Sequence, residues 1–209
     1  MPTITLPQQT GNSCAAHCTV VAVVEITASQ SILTTVFAEG TLWPAIQFTG
    51  NDGPVSQKLK ADHNSDPRLI VSEVASRWGG SVTSTMLFDD TEKTTALTFV
   101  SDPMMQQALP GLFNLLKGQT QSSMIVPKDG IFYNCSYVML KGATASSAKF
   151  EGLHNILITS DSGALYYYNP NEATPAWVKN PPDWKTLQGL NGGTYCYIFT
   201  GVAVELKKK

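Results

Sequence analysis

Residues 8–25, QQTGNSCAAHCTVVAVVE, pass from a polar loop straight into an apolar run, and this stretch decides the fold. Asn12 or Ser13 is placed to cap a helix, which puts Cys14 in its first turn. From Ala15 to Val24 the apolar residues fall on every side of that helix rather than along one stripe. Such a helix has no face suited to water, so it belongs in the middle of a domain, wrapped by other elements. Its N-terminal tip then presents a thiol where backbone N–H groups and the positive end of the macrodipole gather. Both favour thiolate, the nucleophilic form. The expectation is a Cys14 pKa below the free value of about 8.5 and faster reaction than Cys18, Cys135 or Cys196.

The remaining composition suits one soluble domain over residues 1–209, long enough to bury a sizeable core. A formal net charge of −2 gives no electrostatic reason for binding nucleic acid or an anionic membrane. Lys207–Lys209 reads as a solvated tail. The first residues, MPTITLPQQTGNS, have neither the basic nor the apolar region of a secretory signal. The expected location is therefore the cytoplasm, or outside the cell by a leaderless route such as that of a secreted effector. The apolar run Cys18–Ile26 is too short to span a bilayer. Four scattered cysteines do not make a disulfide framework and are read as free thiols.

In chain order, Ser31–Phe37 is expected to form a short helix before Gly40, with residues 41–66 a loop holding one short helix near Val55–Lys60. Asp66-Pro67 and Asp102-Pro103 each place a cap and a first-turn proline ahead of helices over Arg68–Trp78 and Met104–Lys117, the second stopped by Gly118. β-Branched Thr94–Val100 reads as a strand. So do Ser123–Val126, Ser136–Leu140, Leu153–Thr159, Ala164–Tyr168 and Thr194–Glu205. Ser160-Asp161-Ser162-Gly163 marks a hairpin, and Asn169–Leu190, with its prolines, a long surface excursion. The fold class is α+β: a helical N-terminal half packed on a C-terminal antiparallel sheet.

Three histidines are available to Cys14. His17 lies one turn deeper on the same helix and reads as a buried, hydrogen-bonded residue. Cys14, His17 and Cys18 lack the fourth ligand that a structural zinc site needs, so no metal is expected. His63 sits among loop signals. His154 opens an apolar strand, and the hairpin returns Asn169 beside it, where an amide oxygen could hold the imidazole N–H. Asp161 is a poorer candidate for that role. Seven extended residues at about 3.3 Å each carry it about 23 Å away, to the hairpin tip. A thiol, a base and an orienting group form the general pattern of covalent catalysis.

Gln8 six positions before Cys14, a cysteine at a helix start, His154 and then Asn169 together resemble the papain-like cysteine peptidases, especially compact bacterial members and secreted effectors. That resemblance implies an oxyanion hole from the Gln8 side chain and the Cys14 amide, His154 as general base and acid, and Asn169 as its orienting partner. It implies a peptide or protein substrate, no cofactor and no metal. An amidase or acyl transferase using the same thiol, or a papain-like module that binds a peptide without turnover, are the alternatives. Two positions depart from the pattern: Ala15 follows the cysteine where papain has Trp, and Asn155 follows the histidine where a small or aromatic residue is usual.

Overall fold

The computed structural model describes residues 1–117, 121–122 and 124–209. The chain is mixed α+β. Helix α1 spans Cys14–Thr27, and every residue from Cys14 to Val24 is buried. Its valines at 20, 21, 23 and 24 are each withdrawn from water, a transfer gain of about 1.5–3 kcal/mol apiece. Ser13 occupies the N-cap position without making the side-chain cap expected of it. Its hydroxyl is buried and donates instead to the Thr10 carbonyl at 2.8 Å, so it shapes the loop rather than the helix end.

Next comes a continuous helical stretch with changing pitch: Thr35–Phe37 α-helical, Ala38–Leu42 a π-turn, Trp43–Ile46 α-helical again. The expected stop at Gly40 is thus absorbed into a wider turn. Helices α2 (Pro54–Ala61) and α3 (Pro67–Trp78) follow. Asp66 caps α3 by accepting from the Arg68 amide at 2.9 Å. Strand β1 (Val82–Phe88), α4 (Asp90–Leu97) and α5 (Pro103–Lys117) complete this half. In α5, Met105, Leu109, Phe113 and Leu116 are buried at helical spacing.

Several expectations fail here. Thr94–Val100 is not a strand: Asp89 accepts from Thr91 N, starts α4, and the helix carries its threonines to Leu97 because Ala96 seals one face against the core. Conversely β1, rich in Ser and Thr, escaped notice because both its edges are paired and packing rather than alternation supports it. The Gly118 stop and the Ser123 start of the next expected strand lie outside the described residues, and Met124–Val126 is not a strand.

The sheet runs β2-β1-β8-β3-β4-β5-β6, with β7 also on β8. Here β2 is Gln121–Ser122, β3 Phe132–Lys141, β4 Lys149–Asp161, β5 Ala164–Tyr168, β6 Trp177–Lys179, β7 Thr186–Gly189 and β8 Tyr195–Lys208. Apart from the short parallel β1–β2 contact, the pairings are antiparallel. Neighbouring residues on one strand go to opposite faces. Phe132, Leu157, Tyr168 and Val204 pack with α1 and α3, whereas Tyr133, Ile156, Ile158, Tyr167 and Ala203 join a second cluster with Trp184 and Phe199. Both faces are buried. The segment Asn169–Leu190 is therefore no plain surface excursion, since it carries β6, β7 and buried Trp184 and Leu187.

Gly201 makes one of these contacts possible. It sits at an irregularity of β8 against β3, has φ +85°, and its carbonyl accepts from Asp89 N at 2.7 Å. A Cβ there would lie 2.2 Å from the Asp89 carbonyl oxygen. Gly201→Ala is predicted to cost about 2 kcal/mol or more. Gly80→Ala, where nothing lies within 4 Å, should stay within about 0.5 kcal/mol. Urea unfolding of both variants checks this.

Candidate active site

Cys14 is the first residue of α1, and α1 lies across β4. The contact is made by the sulfurs: the Asn155 amide donates to Cys14 Sγ at 3.3 Å, and Cys18 Sγ donates to the Asn155 carbonyl at 3.6 Å. Cys14 thus sits against the peptide that joins His154 to Asn155. It is not the exposed tip that the sequence suggested, being only 6% accessible. Burial pushes its pKa up to about 11, and the amides of Asn155, Ala15 and Cys14, which pull the other way, do not offset it. The expected resting thiolate is therefore corrected to a resting thiol.

His154 is buried on β4, and its Nε2 lies 2.8 Å from Asn169 Oδ1. The tautomer follows from Asn169's other bonds. Oδ1 also accepts the Asn171 amide at 3.1 Å, while Nδ2 donates to Glu172 Oε1 at 3.2 Å and Asn191 Oδ1 at 3.4 Å. Glu172 is in turn held by the Asn191 amide. The oxygen of Asn169 must face the ring, so Nε2 carries the proton and Nδ1 keeps its lone pair. Among the described residues Nδ1 makes no hydrogen bond, and none joins the ring to the thiol. Burial lowers the imidazole pKa to about 4 despite the bond from Asn169. Tyr197 packs its ring on that of His154, centroids 5.1 Å apart, and its buried hydroxyl lacks a well-formed hydrogen bond.

The hairpin explains why Asn169 arrives there. Leu157 pairs with Tyr168. One residue further on, Asn169 falls on the His154 face, diagonal to it. The N-terminal segment is laid beside this corner: Leu6 N donates to the Tyr168 hydroxyl at 3.2 Å, and Gln9 N donates to Pro170 O at 3.0 Å. Gln8 is exposed and gives Nε2 to the Asn171 carbonyl at 3.1 Å. It stands at the rim of the Asn169 turn and does not hydrogen bond to Cys14. Asp161 is at the hairpin tip, paired with the Met1 amine at 2.6 Å.

Sequence reasoning missed a second support. Glu39, on the π-turn, accepts from Thr10 N at 2.8 Å and Thr10 Oγ1 at 2.6 Å, meets His17 Nε2 at 3.0 Å and takes a longer bond from Ser13 Oγ. One carboxylate thereby ties down the loop before Cys14 and the first turn of α1. Burial works against its charge, but the bonds from Thr10 and His17 outweigh that and hold the carboxyl below its usual range. His17 is committed to Glu39 and Cys18 to Asn155, so these side chains do not converge with Cys14 on a common point. Among the described residues no three His, Cys, Asp or Glu side chains form a metal-sized group. His63 is exposed in a turn, φ 56°.

Beside the site lies a cleft of about 550 Å³ bordered by Asn12 on one side and Gly152 and Leu153 on the other. Phe150, Met105 and Met139 supply apolar wall. No described helix is long and apolar enough to cross a membrane. No protein-family model matches this sequence, and no curated protein matches it.

The His154 pKa of about 4 against an ordinary 6.5 is a stability statement. Between those values the unfolded chain binds a proton that the folded chain refuses, so the stabilisation present above pH 6.5 is lost as pH falls toward 4. At about 1.4 kcal/mol per unit, roughly 3 kcal/mol is at stake. Urea unfolding from pH 8 to pH 4 should show a loss larger by about that amount in the native protein than in His154→Gln. His17, also lowered by burial, contributes equally to both and cancels.

Proposed function

We propose that this chain is a cysteine peptidase of papain-like arrangement, with Cys14 as nucleophile, His154 as general base and acid, Asn169 as its orienting partner, and Gln8 with the Cys14 amide as oxyanion donors. The observation that carries the reading is the 2.8 Å His154–Asn169 bond, made on the residue next to the amide that touches the Cys14 sulfur. Asn169 holds the tautomer whose Nδ1 is free to accept a proton.

Because both groups rest neutral, the reaction begins by general-base catalysis rather than from a stored ion pair. Cys14 Sγ attacks the peptide carbonyl carbon as its proton passes to His154 Nδ1. The carbonyl π pair moves onto oxygen, toward the donors. The imidazolium then protonates the leaving amine as the C–N bond breaks, leaving a thioester. Water, deprotonated by His154, releases the acid and restores the thiol. An oxyanion donor of this kind is worth about 2.7–4 kcal/mol.

A peptide substrate is supported by the edge of β4. That strand is paired on its β5 side only from Leu157 to Asp161. Asn155 turns its N–H and C=O toward the helix sulfurs, away from β3. Leu153, two residues earlier, turns its own pair the same way by the alternation of the strand, and it borders the cleft. An extended main chain can add there as a strand. One observation favours the rival reading of a cleft that binds peptide without turnover: no hydrogen bond links the thiol to the ring among the described residues.

The test is hydrolysis of a mixed peptide library read by mass spectrometry. Cys14→Ala and His154→Ala should be inactive. Asn169→Ala should lose on the order of 10-fold to 10²-fold in kcat, Asn169→Asp should lose activity as well, because its second oxygen would face the Glu172 carboxylate where Nδ2 now donates, and Asp161→Ala should stay within about 2-fold. Gln8→Ala should fall about 10²-fold while Gln9→Ala changes little. Binding of peptides with no cleavage by the native chain would establish the rival.

A further inference from the structure

The residue after the histidine is the second departure from the family pattern, and its surroundings determine what it does. Asn134 Nδ2 lies 3.0 Å from the Ala15 carbonyl, which can only accept, and 3.0 Å from Thr19 Oγ1. Asn134 must therefore point its oxygen the other way, toward Asn155. Asn155 meets it with Nδ2 at 2.9 Å, with a second, longer approach to Ser136 Oγ at 3.4 Å. Both amide hydrogens of Asn155 are thus spent, and its Oδ1 is left facing Cys14 Sγ at 3.9 Å. The second oxygen near the sulfur, Asn12 O at 4.0 Å, is an acceptor too. A single helix carbonyl, relayed through two asparagines, dictates that an acceptor rather than a donor side chain faces the nucleophile.

We propose that Asn155 controls the protonation of Cys14: its side-chain carbonyl accepts the S–H in the resting protein, and its main-chain N–H stabilises the sulfur's charge once the proton leaves. The side-chain dipole opposes thiolate and keeps the resting thiol protonated, with the imidazole as the group that takes the proton in catalysis. The inference rests on the reading of Cys14 as the nucleophile, and its test does not need turnover. Glu39, bonded to Thr10, Ser13 and His17 beside Cys14, is ionised and the same in every variant; the other titratable groups near the sulfur are His154 on β4, Cys18 on α1 and Tyr197 on β8. All three stay uncharged at pH 8, because burial lowers the first and raises the others. A charge placed at position 155 therefore acts on the thiol without competition from them.

The experiment is the rate of Cys14 alkylation by iodoacetamide at pH 8, mapped by mass spectrometry on the full chain, for the native protein, Asn155→Asp and Asn155→Ala. Below its midpoint the rate follows the thiolate fraction, so one unit of pKa is about tenfold. Asn155→Asp sets a carboxylate about 4 Å from the sulfur and should slow alkylation tenfold or more. Asn155→Ala removes the acceptor and should speed it several-fold. Should the aspartate variant not fold, the alanine variant decides alone through its pH–rate profile, which must shift to lower pH. A variant that merely loosens the site would speed both, and that result, or an unchanged rate in both, overturns the proposal. Opposite shifts in a native chain that cleaves no peptide would leave this inference standing while the peptidase reading falls. Cleavage without such shifts would do the reverse.

Discussion

Burial of α1 on all sides is the constraint from which the rest of the structure follows. A helix with no wet face must be enclosed, and here β4, β3, β8 and the helical stretch from Thr35 to Ile46 enclose it. Enclosure strips water from the first turn as well as from the valines behind it. The polar groups of that turn then need partners within the protein. Three residues supply them from separate elements: the Asn134 side chain on β3 for the Ala15 carbonyl, the Glu39 side chain on the π-turn for Thr10 and His17, and Asn155 on β4, through its main-chain N–H and its Oδ1, for the sulfur. The site is what a buried helix end requires in order to be satisfied.

The same desolvation settles the balance between opposing electrostatic effects at Cys14. A helix N-terminus contributes roughly half a unit of positive charge and typically 0.3–1 kcal/mol. Burial, net of the opposing amides of Asn155, Ala15 and Cys14, pushes the thiol up to about 11, a change worth about 3 kcal/mol. The macrodipole is the weaker party, and the sequence alone, which shows the dipole but not the depth, points to the wrong protonation state. An analogous contest at His154 runs in the same direction, with Asn169 too weak a partner to hold a charge on the ring.

What was legible in the sequence depended on range. The all-round apolar pattern of Ala15–Val24 announced a central helix, and Asp66-Pro67 announced α3, because caps and periodicity act within a few residues. The Ser160–Gly163 turn carried further, since a hairpin's register follows from its turn, and that brought Asn169 to His154 before any contact was known. Glu39 and Asn134 gave no such signal. Each acts across a sequence separation that no local pattern encodes, Glu39 on Thr10 and His17, Asn134 on Ala15. The threonines of α4 misled for a related reason: propensity is a preference of tenths of a kcal/mol, and a capped helix with a buried Ala96 overrides it.

Two amide orientations at this site can be deduced, and they point opposite ways. Around Asn169 the fixed groups are a backbone N–H from Asn171 and a carboxylate from Glu172, which force the oxygen toward His154. Around Asn155 the fixed group is the Ala15 carbonyl, which, through Asn134, forces the oxygen toward Cys14. One acceptor leaves Nδ1 of the ring with its lone pair, and the other faces the sulfur of a protonated thiol. Each is anchored on a backbone group, the Asn171 N–H or the Ala15 carbonyl, and completed by one side chain, Glu172 or Asn134. The neutral ring and the neutral thiol are therefore both set by how strands β3, β4 and β5 lie under α1.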